Sequence, residues 1–333
     1  MHTHPTLLAM ALAGVTLVAA CGGDDDDAGT TAAGTTAAET TAAGAAPTDP
    51  AVAPTAGTGT DVDSSATTAG AGTPQAIVSI SPTATEMLFA IGAGDQVIAV
   101  DDQSNHPPEA AAVLTDLSAY EPNVEAIAAY EPDLVVASDD TVKAPLEALG
   151  VTVWVGPAAT TFEGAYDQIE QLGAVTGHVS EAAALVAGMQ ADLDEIATSV
   201  PATETPLTVY HELSPDGFSA NSATFIGQVY SRLGLQNIAD LAEGDHGGYP
   251  QLNAESIVTA DPDLIFLADT KCCRESLETV AARPGWQDIT AVANGDVFEM
   301  DDDVASRWGP RVVDYMRQVA DAVTTSVSAP AGG

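Results

Sequence analysis

Apolar residues fall along this chain in short blocks separated by longer stretches of mixed character. From residue 75 onward, mostly apolar runs bounded by turn residues are predicted as buried strands. They are Ile77–Ile80, Val97–Val100, Leu134–Ala137, Val151–Val155, Leu207–Tyr210, Leu264–Leu267 and Val297–Met300. Between them the spacing turns helical. Thr83 to Ile91 is predicted as a helix, with Thr83 as N-cap, Glu86 completing a capping box and Gly92 ending it. Phe162 to Thr176 places Phe162, Ala165, Tyr166, Ile169, Leu172 and Val175 on one face, and Gly177 interrupts it. A second helix starts at Ser180, carries Leu185, Met189, Leu193 and Ile196 on one face, and stops at Pro201. A helix of about 20 residues spans about 30 Å, enough to bridge two lobes. Strands alternating with helices give an α/β chain with parallel sheets.

The pattern contains an internal repeat. Asn123-Val-Glu125-Ala-Ile127 leads through Glu131-Pro132-Asp133 into Leu134-Val135-Val136. Asn253-Ala-Glu255-Ser-Ile257 leads, without a gap, through Asp261-Pro262-Asp263 into Leu264-Ile265-Phe266. Each copy reads as an Asn-capped short helix with Glu in its first turn, a proline stop and a strand. A common αβ connection accounts for the proline and the apolar positions. The recurring Glu points further, to two lobes of one design.

The first 74 residues have a different character. Leu7 to Ala20 is an apolar run of about 14 residues, the length of a signal-peptide core and short of the roughly 20 that span a bilayer. The segment before it carries His2 and His4 but no Lys or Arg. Val18-Ala19-Ala20-Cys21-Gly22 resembles a bacterial lipobox, which makes Cys21 the lipidated N-terminus of the mature protein. Gly22 to Pro74 is rich in Ala, Thr, Gly, Asp and Pro. Such a segment has too little to bury to order itself and reads as a disordered tether with an r.m.s. reach of roughly 40 Å. The expected divisions are therefore 1–21 signal peptide, 22–74 tether, 75–178 first lobe, 179–201 joining helix and 202–333 second lobe.

Charge narrows the function. The chain holds 8 Lys+Arg against 48 Asp+Glu, a formal net charge of −40. A polyanion such as nucleic acid would be repelled, and there is no basic patch for anionic lipid. The tether holds Asp24 to Asp27, Glu39, Asp49, Asp61 and Asp63 and no basic residue, so most of the negative charge belongs to the folded part. That fits a solvated surface outside the cell, in a habitat where salt screens such fields.

The segment Ile77-Val78-Ser79-Ile80-Ser81-Pro82-Thr83-Ala84-Thr85-Glu86 resembles the opening of the helical-backbone substrate-binding proteins of ABC importers, the chelatase-like family that takes up ferric siderophores, haem and cobalamin. The two Asn-x-Glu segments and the helix before Pro201 fit the same pattern, so the resemblance covers Gln75 to about Val327. It implies two Rossmann-like α/β lobes with parallel sheets, joined by a single long backbone helix, with the ligand in the cleft between them. It also implies a monomer that hands a small-molecule metal chelate to an ABC permease dimer and its ATPase, from a lipid anchor on the outer face of the bacterial cell membrane. Glu125 and Glu255 fall where the family docks one carboxylate per lobe into arginine pockets of the permease. The competing reading of each is a first-turn acid that only complements the helix dipole.

By the same resemblance, the cleft is lined by loops at strand ends. The first lobe would contribute Gln103, Asn105, His106 and Tyr120. The second would contribute Tyr210, His211, Glu212, Tyr249, Arg307 and Trp308, with Arg307 available to an anionic ligand. Arg311 reads as structural. His106, His211, Glu212 and His246 raise the alternative of a free zinc or manganese site, but no two share a compact ligand spacing, and no metal or cofactor is expected. Adjacent Cys272 and Cys273, predicted in a loop, allow a vicinal disulfide or two free thiols. No hydrolase, P-loop, redox or zincin motif is present, so no catalysis is expected. The same two-lobed scaffold also suits a chelatase-like enzyme, and the lipobox also suits a surface lipoprotein that scavenges a ligand without a transporter.

Overall fold

The computed structural model describes residues 72–244 and 246–328. The expected signal peptide, Cys21 and nearly all of the expected tether lie outside them. The first lobe runs β1 (Ile77–Ile80), α1 (Pro82–Ala90), β2 (Val97–Val100), α2 (Val124–Ala128), β3 (Leu134–Ala137), α3 (Lys143–Ala148), β4 (Thr152–Val155) and α4 (Phe162–Thr176). Helix α5 (Val179–Ser199) follows. The second lobe runs β5 (Thr208–Glu212), α6 (Phe225–Arg232), β6 (Gln236–Asn237), α7 (Ala254–Ala260), β7 (Leu264–Leu267), α8 (Thr270–Cys273), α9 (Leu277–Ala281), α10 (Thr290–Asn294), β8 (Val297–Glu299) and α11 (Asp302–Ser306). It closes with α12 (Val312–Ser328).

Each lobe has a four-stranded parallel sheet, and the two sheets have the same topology. The orders are β2-β1-β3-β4 and β6-β5-β7-β8. The repeat is thus a repeat of architecture. In both copies the Asn caps its helix: the Asn123 side chain accepts from Glu125 N and Ala126 N, and that of Asn253 from Ser256 N. In both copies the residue before proline has a positive φ, 54° at Glu131 and 47° at Asp261, a conformation uncommon for residues with a side chain. The Asp after proline then reaches back to the start of the lobe's first strand. Asp133 accepts from Gln75 N and Ala76 N, and Asp263 from Thr208 N and its hydroxyl. The Pro-Asp pair therefore ties β3 and β7 to their central neighbours.

Alternation along the strands divides the core into layers. Leu134 and Val136 of β3, and Leu264 and Phe266 of β7, join one apolar cluster that runs through both lobes by way of α1, α4, α5, α6 and α12. Val135 and Ala137 face a separate outer cluster with Ile127 of α2. Ile265 and Leu267 face a third, with Ile257 of α7. The shared layer holds the lobes together. The outer layers seat α2 and α7, the helices that carry Glu125 and Glu255.

Several boundaries differ from those the sequence pattern predicts. Helix α1 begins at Pro82 with Ser81 as its cap, not Thr83, because proline suits the first helical position. Thr83 and Glu86 are buried within it, and no capping box forms. Strand β5 continues through His211 and Glu212, beyond the expected end at Tyr210, because both polar side chains find partners inside. The short edge strand β6 is not predicted by the pattern; two residues carry too little of it. Helix α5 starts without a side-chain cap, so Ser180 lies inside it. Among the described residues no helix is long and apolar enough to cross a membrane.

Candidate functional site

The loop after β2 and the segment from β8 to α12 meet across the two lobes. Arg307 is buried there and gathers groups from both sides. Its guanidinium donates to Glu86 Oε1 at 2.7 Å, to Asn105 Oδ1 at 3.2 Å and to the Gln103 carbonyl at 2.9 Å, and it pairs with Asp303 at 3.1 Å. Arg311 adds two further bonds to Glu86, at 2.9 and 2.5 Å. Asn105 donates to Asp303 at 2.9 Å. Gln103, Asn105 and Arg307 are therefore brought together, but as a closed polar seam. The expectation that Arg307 is available to an anionic ligand is corrected: carboxylates of the protein itself, Glu86 and Asp303, occupy it. Glu86, Asp303 and Arg311 belong to this cluster without having been expected there. The signal available in the sequence is the scarcity of basic residues, which makes Arg307 and Arg311, four positions apart, unusual.

Three further residues expected at the cleft are also placed differently. Tyr210, His211 and Glu212 are fully buried in β5. The Tyr210 ring meets Trp286 edge-on, with centroids 6.0 Å apart. His211 Nδ1 lies 2.7 Å from the Tyr230 hydroxyl and 3.3 Å from that of Tyr315, and burial holds its pKa down to about 3, so the ring is neutral. Glu212 takes a bidentate pair from Arg283, with both bonds at 2.6 Å. None of the three presents a side chain to an open surface.

Beside Glu212 lies a concentration of negative charge. Arg283 also pairs with Glu275 at 2.7 Å and stacks over Trp286 at 4.5 Å. Asp269, fully buried two residues past β7, accepts no hydrogen bond from a protein donor at either carboxylate oxygen, and its closest neighbours are other carboxylates. Burial, with Glu212 and Glu275 nearby, raises its pKa to about 7. The following turn, α8, holds Cys272 and Cys273 joined as a vicinal disulfide on an exposed helical turn instead of the expected loop. Asp302 caps this turn by accepting from Thr270 N, Lys271 N and Cys272 N. Lys271 bonds Asp301 at 2.6 Å and Asp303 at 2.8 Å, which links α8 to the polar seam.

The aromatic candidates remain accessible. Tyr120 is 83% exposed and Tyr249 46%. Trp308 is half-buried, its Nε1 donating to Gln168 at 3.1 Å. His106 lines a cavity of about 630 Å³ beside the edge strand β2, with Glu86, Phe89, Val97 and Arg311 among its walls. Glu125 and Glu255 are both exposed in the first turns of their helices. Glu255 borders a shallow groove with Leu241, which is 73% exposed. Among the described residues no group of His, Cys, Asp and Glu is disposed to hold a metal ion. His106, His211 and His246 do not form such a group.

A family model described as a periplasmic binding protein matches residues 77–304. An uncharacterised ABC transporter substrate-binding lipoprotein of Bacillus subtilis is 30% identical over 75% of this chain and 80% of its own length. A cobalamin-binding protein of Halobacterium salinarum is also 30% identical, over 75% of this chain and 69% of its own. Among solved structures, a possible iron-binding periplasmic solute-binding protein from Staphylococcus epidermidis superimposes with a TM-score of 0.67. It is 26% identical and covers 76% of this chain and 99% of its own. The periplasmic vitamin B12-binding protein of Vibrio cholerae superimposes with a TM-score of 0.62 at 24% identity, covering 77% and 99%, which is likeness of fold.

Proposed function

The chain belongs to the periplasmic binding protein family, and on that premise we propose that it is the extracytoplasmic, lipid-anchored binding protein of an ABC importer. It captures a metal chelate between its lobes and hands it to the permease. The observation that carries this reading is the paired presentation of Glu125 and Glu255. Two lobes of the same topology each expose one carboxylate at the same place, on an Asn-capped helix seated in that lobe's outer core. Two fixed carboxylates suit two arginine-bearing subunits and set register between partners.

Charge favours one class of chelate. Of the eight basic residues, only Lys143 and Arg274 make no ion pair among the described residues. A polyanionic ferric catecholate, or the propionates of haem, would enter a strongly negative field with few free cations to receive it. A corrinoid carries little net charge and large amphipathic faces, which suit exposed Tyr120 and Tyr249. Among the chelates of this class, a cobalamin-like corrinoid fits this charge pattern well. The Halobacterium and Vibrio relatives, named for cobalamin and vitamin B12, support this choice. A free zinc or manganese ion is disfavoured by the absence of a convergent ligand group among the described residues.

Cells importing labelled cobalamin through this protein test the hand-over. Glu125→Ala combined with Glu255→Ala should abolish uptake and leave the affinity of the isolated protein for cobalamin unchanged. Undiminished uptake by the double variant would remove the docking role.

A further inference from the structure

Glu86 sits in α1, within the first lobe, and is buried. Its partners Arg307 and Arg311 lie between β8 and α12, beyond the second sheet. The three bonds to the nearest guanidinium nitrogens, at 2.5, 2.7 and 2.9 Å, all cross from one lobe to the other. The Arg307 and Arg311 side chains are only 7% and 16% exposed, so solvent weakens these pairs little. Asn105 and the Gln103 carbonyl add first-lobe acceptors to Arg307, and Asp303 adds one from its own side. A carboxylate gripped by two planar guanidinium groups defines direction as well as distance. The apolar layer shared by the lobes resists their separation but has no comparable directionality.

We propose that Glu86 is a positioning residue, which fixes the angle between the two lobes through Arg307 and Arg311. It needs no ligand contact to act. The seam bridges the two lobes with short directional bonds, so its geometry constrains how far they can part. On the importer reading it also sets the separation at which Glu125 and Glu255 meet the permease. Loss of the Glu86 charge leaves one buried and one part-buried guanidinium group short of a partner, and the lobes then sample other angles.

The test is a distance distribution between spin labels, one per lobe, at Glu147→Cys in α3 and Thr259→Cys in α7. It uses the full chain carrying Cys21→Ser, without reductant. Both labelled positions are exposed. The parent should give one narrow distribution. Glu86→Gln should add a broader, longer-distance population, while hydrogen exchange in β1, β3, β5 and β7 stays protected as in the parent. A folded Glu86→Gln protein with the parent distribution would overturn the proposal. If Glu86→Gln does not fold, Arg311→Gln takes its place with the same expectation, and an unchanged distribution there overturns the proposal equally. The measurement needs neither ligand nor permease. Its failure would leave the importer reading standing, and a failed uptake assay would leave the lobe-positioning role standing.

Discussion

Asp269 stands among like charges with a single guanidinium in reach of the group. Arg283 is already held by Glu212 and Glu275, so an ionised Asp269 would be an uncompensated buried anion. The carboxyl therefore keeps its proton to about pH 7, against 3.8 for an ordinary Asp. Between those values the native state holds a proton that the unfolded chain has released. The associated stability is fully present below pH 3.8 and is lost as pH rises through about 7. Asp269→Asn removes this dependence. Its melting temperature relative to the parent should rise between pH 4 and about pH 7 and level off above, as followed by calorimetry at fixed ionic strength; a constant difference would show that Asp269 does not titrate in this window. His211 acts with the opposite sign, because its depressed pKa makes the fold less stable as pH falls below 6.5, and it is common to both proteins. At this scale the sequence is least legible. Tyr210-His211-Glu212 has the composition of a ligand-binding loop. Nothing in the one-dimensional pattern reveals that Tyr230 and Tyr315 wait for the His ring, or that Arg283 waits for the carboxylate. Partners far apart in sequence decide whether a polar residue is buried.

Helices α2 and α7 show what a short element can and cannot announce. Their caps, prolines and first-turn acids are readable because each has a local cause. The Pro-Asp bonds to β1 and β5 are not, because they join residues more than 50 positions apart. Glu86 fails as a capping residue for a related reason: the S/T-x-x-E pattern is met at Thr83, but Pro82 moves the helix start back to Ser81 and turns Glu86 toward the other lobe. Asn253 and Glu255, two positions apart on α7, separate the structural role from the proposed docking role. Asn253→Ala should cost about 0.5–2 kcal/mol by removing the bond to Ser256 N. Glu255→Ala, at an exposed position in the first turn, should stay within about 0.5 kcal/mol of the parent. Denaturant unfolding of the two variants checks this contrast, and a cost at Glu255 equal to that at Asn253 would favour a purely structural role for the acid.

Over the whole molecule, two lobes of one topology are joined through a shared apolar layer and a polar seam, under a net charge of −40. The α/β class, the two-lobed repeat and the long helix near residues 179–201 are legible, because alternation, helical period and self-similarity are properties of the pattern itself. The closed seam at Arg307 is not, since it depends on how one lobe faces the other. The central claim is that the lobes capture a cobalamin-like chelate and not a free metal ion. Tryptophan fluorescence, reported by half-buried Trp154 and Trp308, tests it most directly in a titration of the full chain. The ligands are cyanocobalamin, haem, a panel of ferric siderophores, zinc and manganese. Saturable quenching by cyanocobalamin at one equivalent, stronger than by any anionic siderophore, is expected; no quenching by any chelate together with tight binding of zinc or manganese would contradict the account.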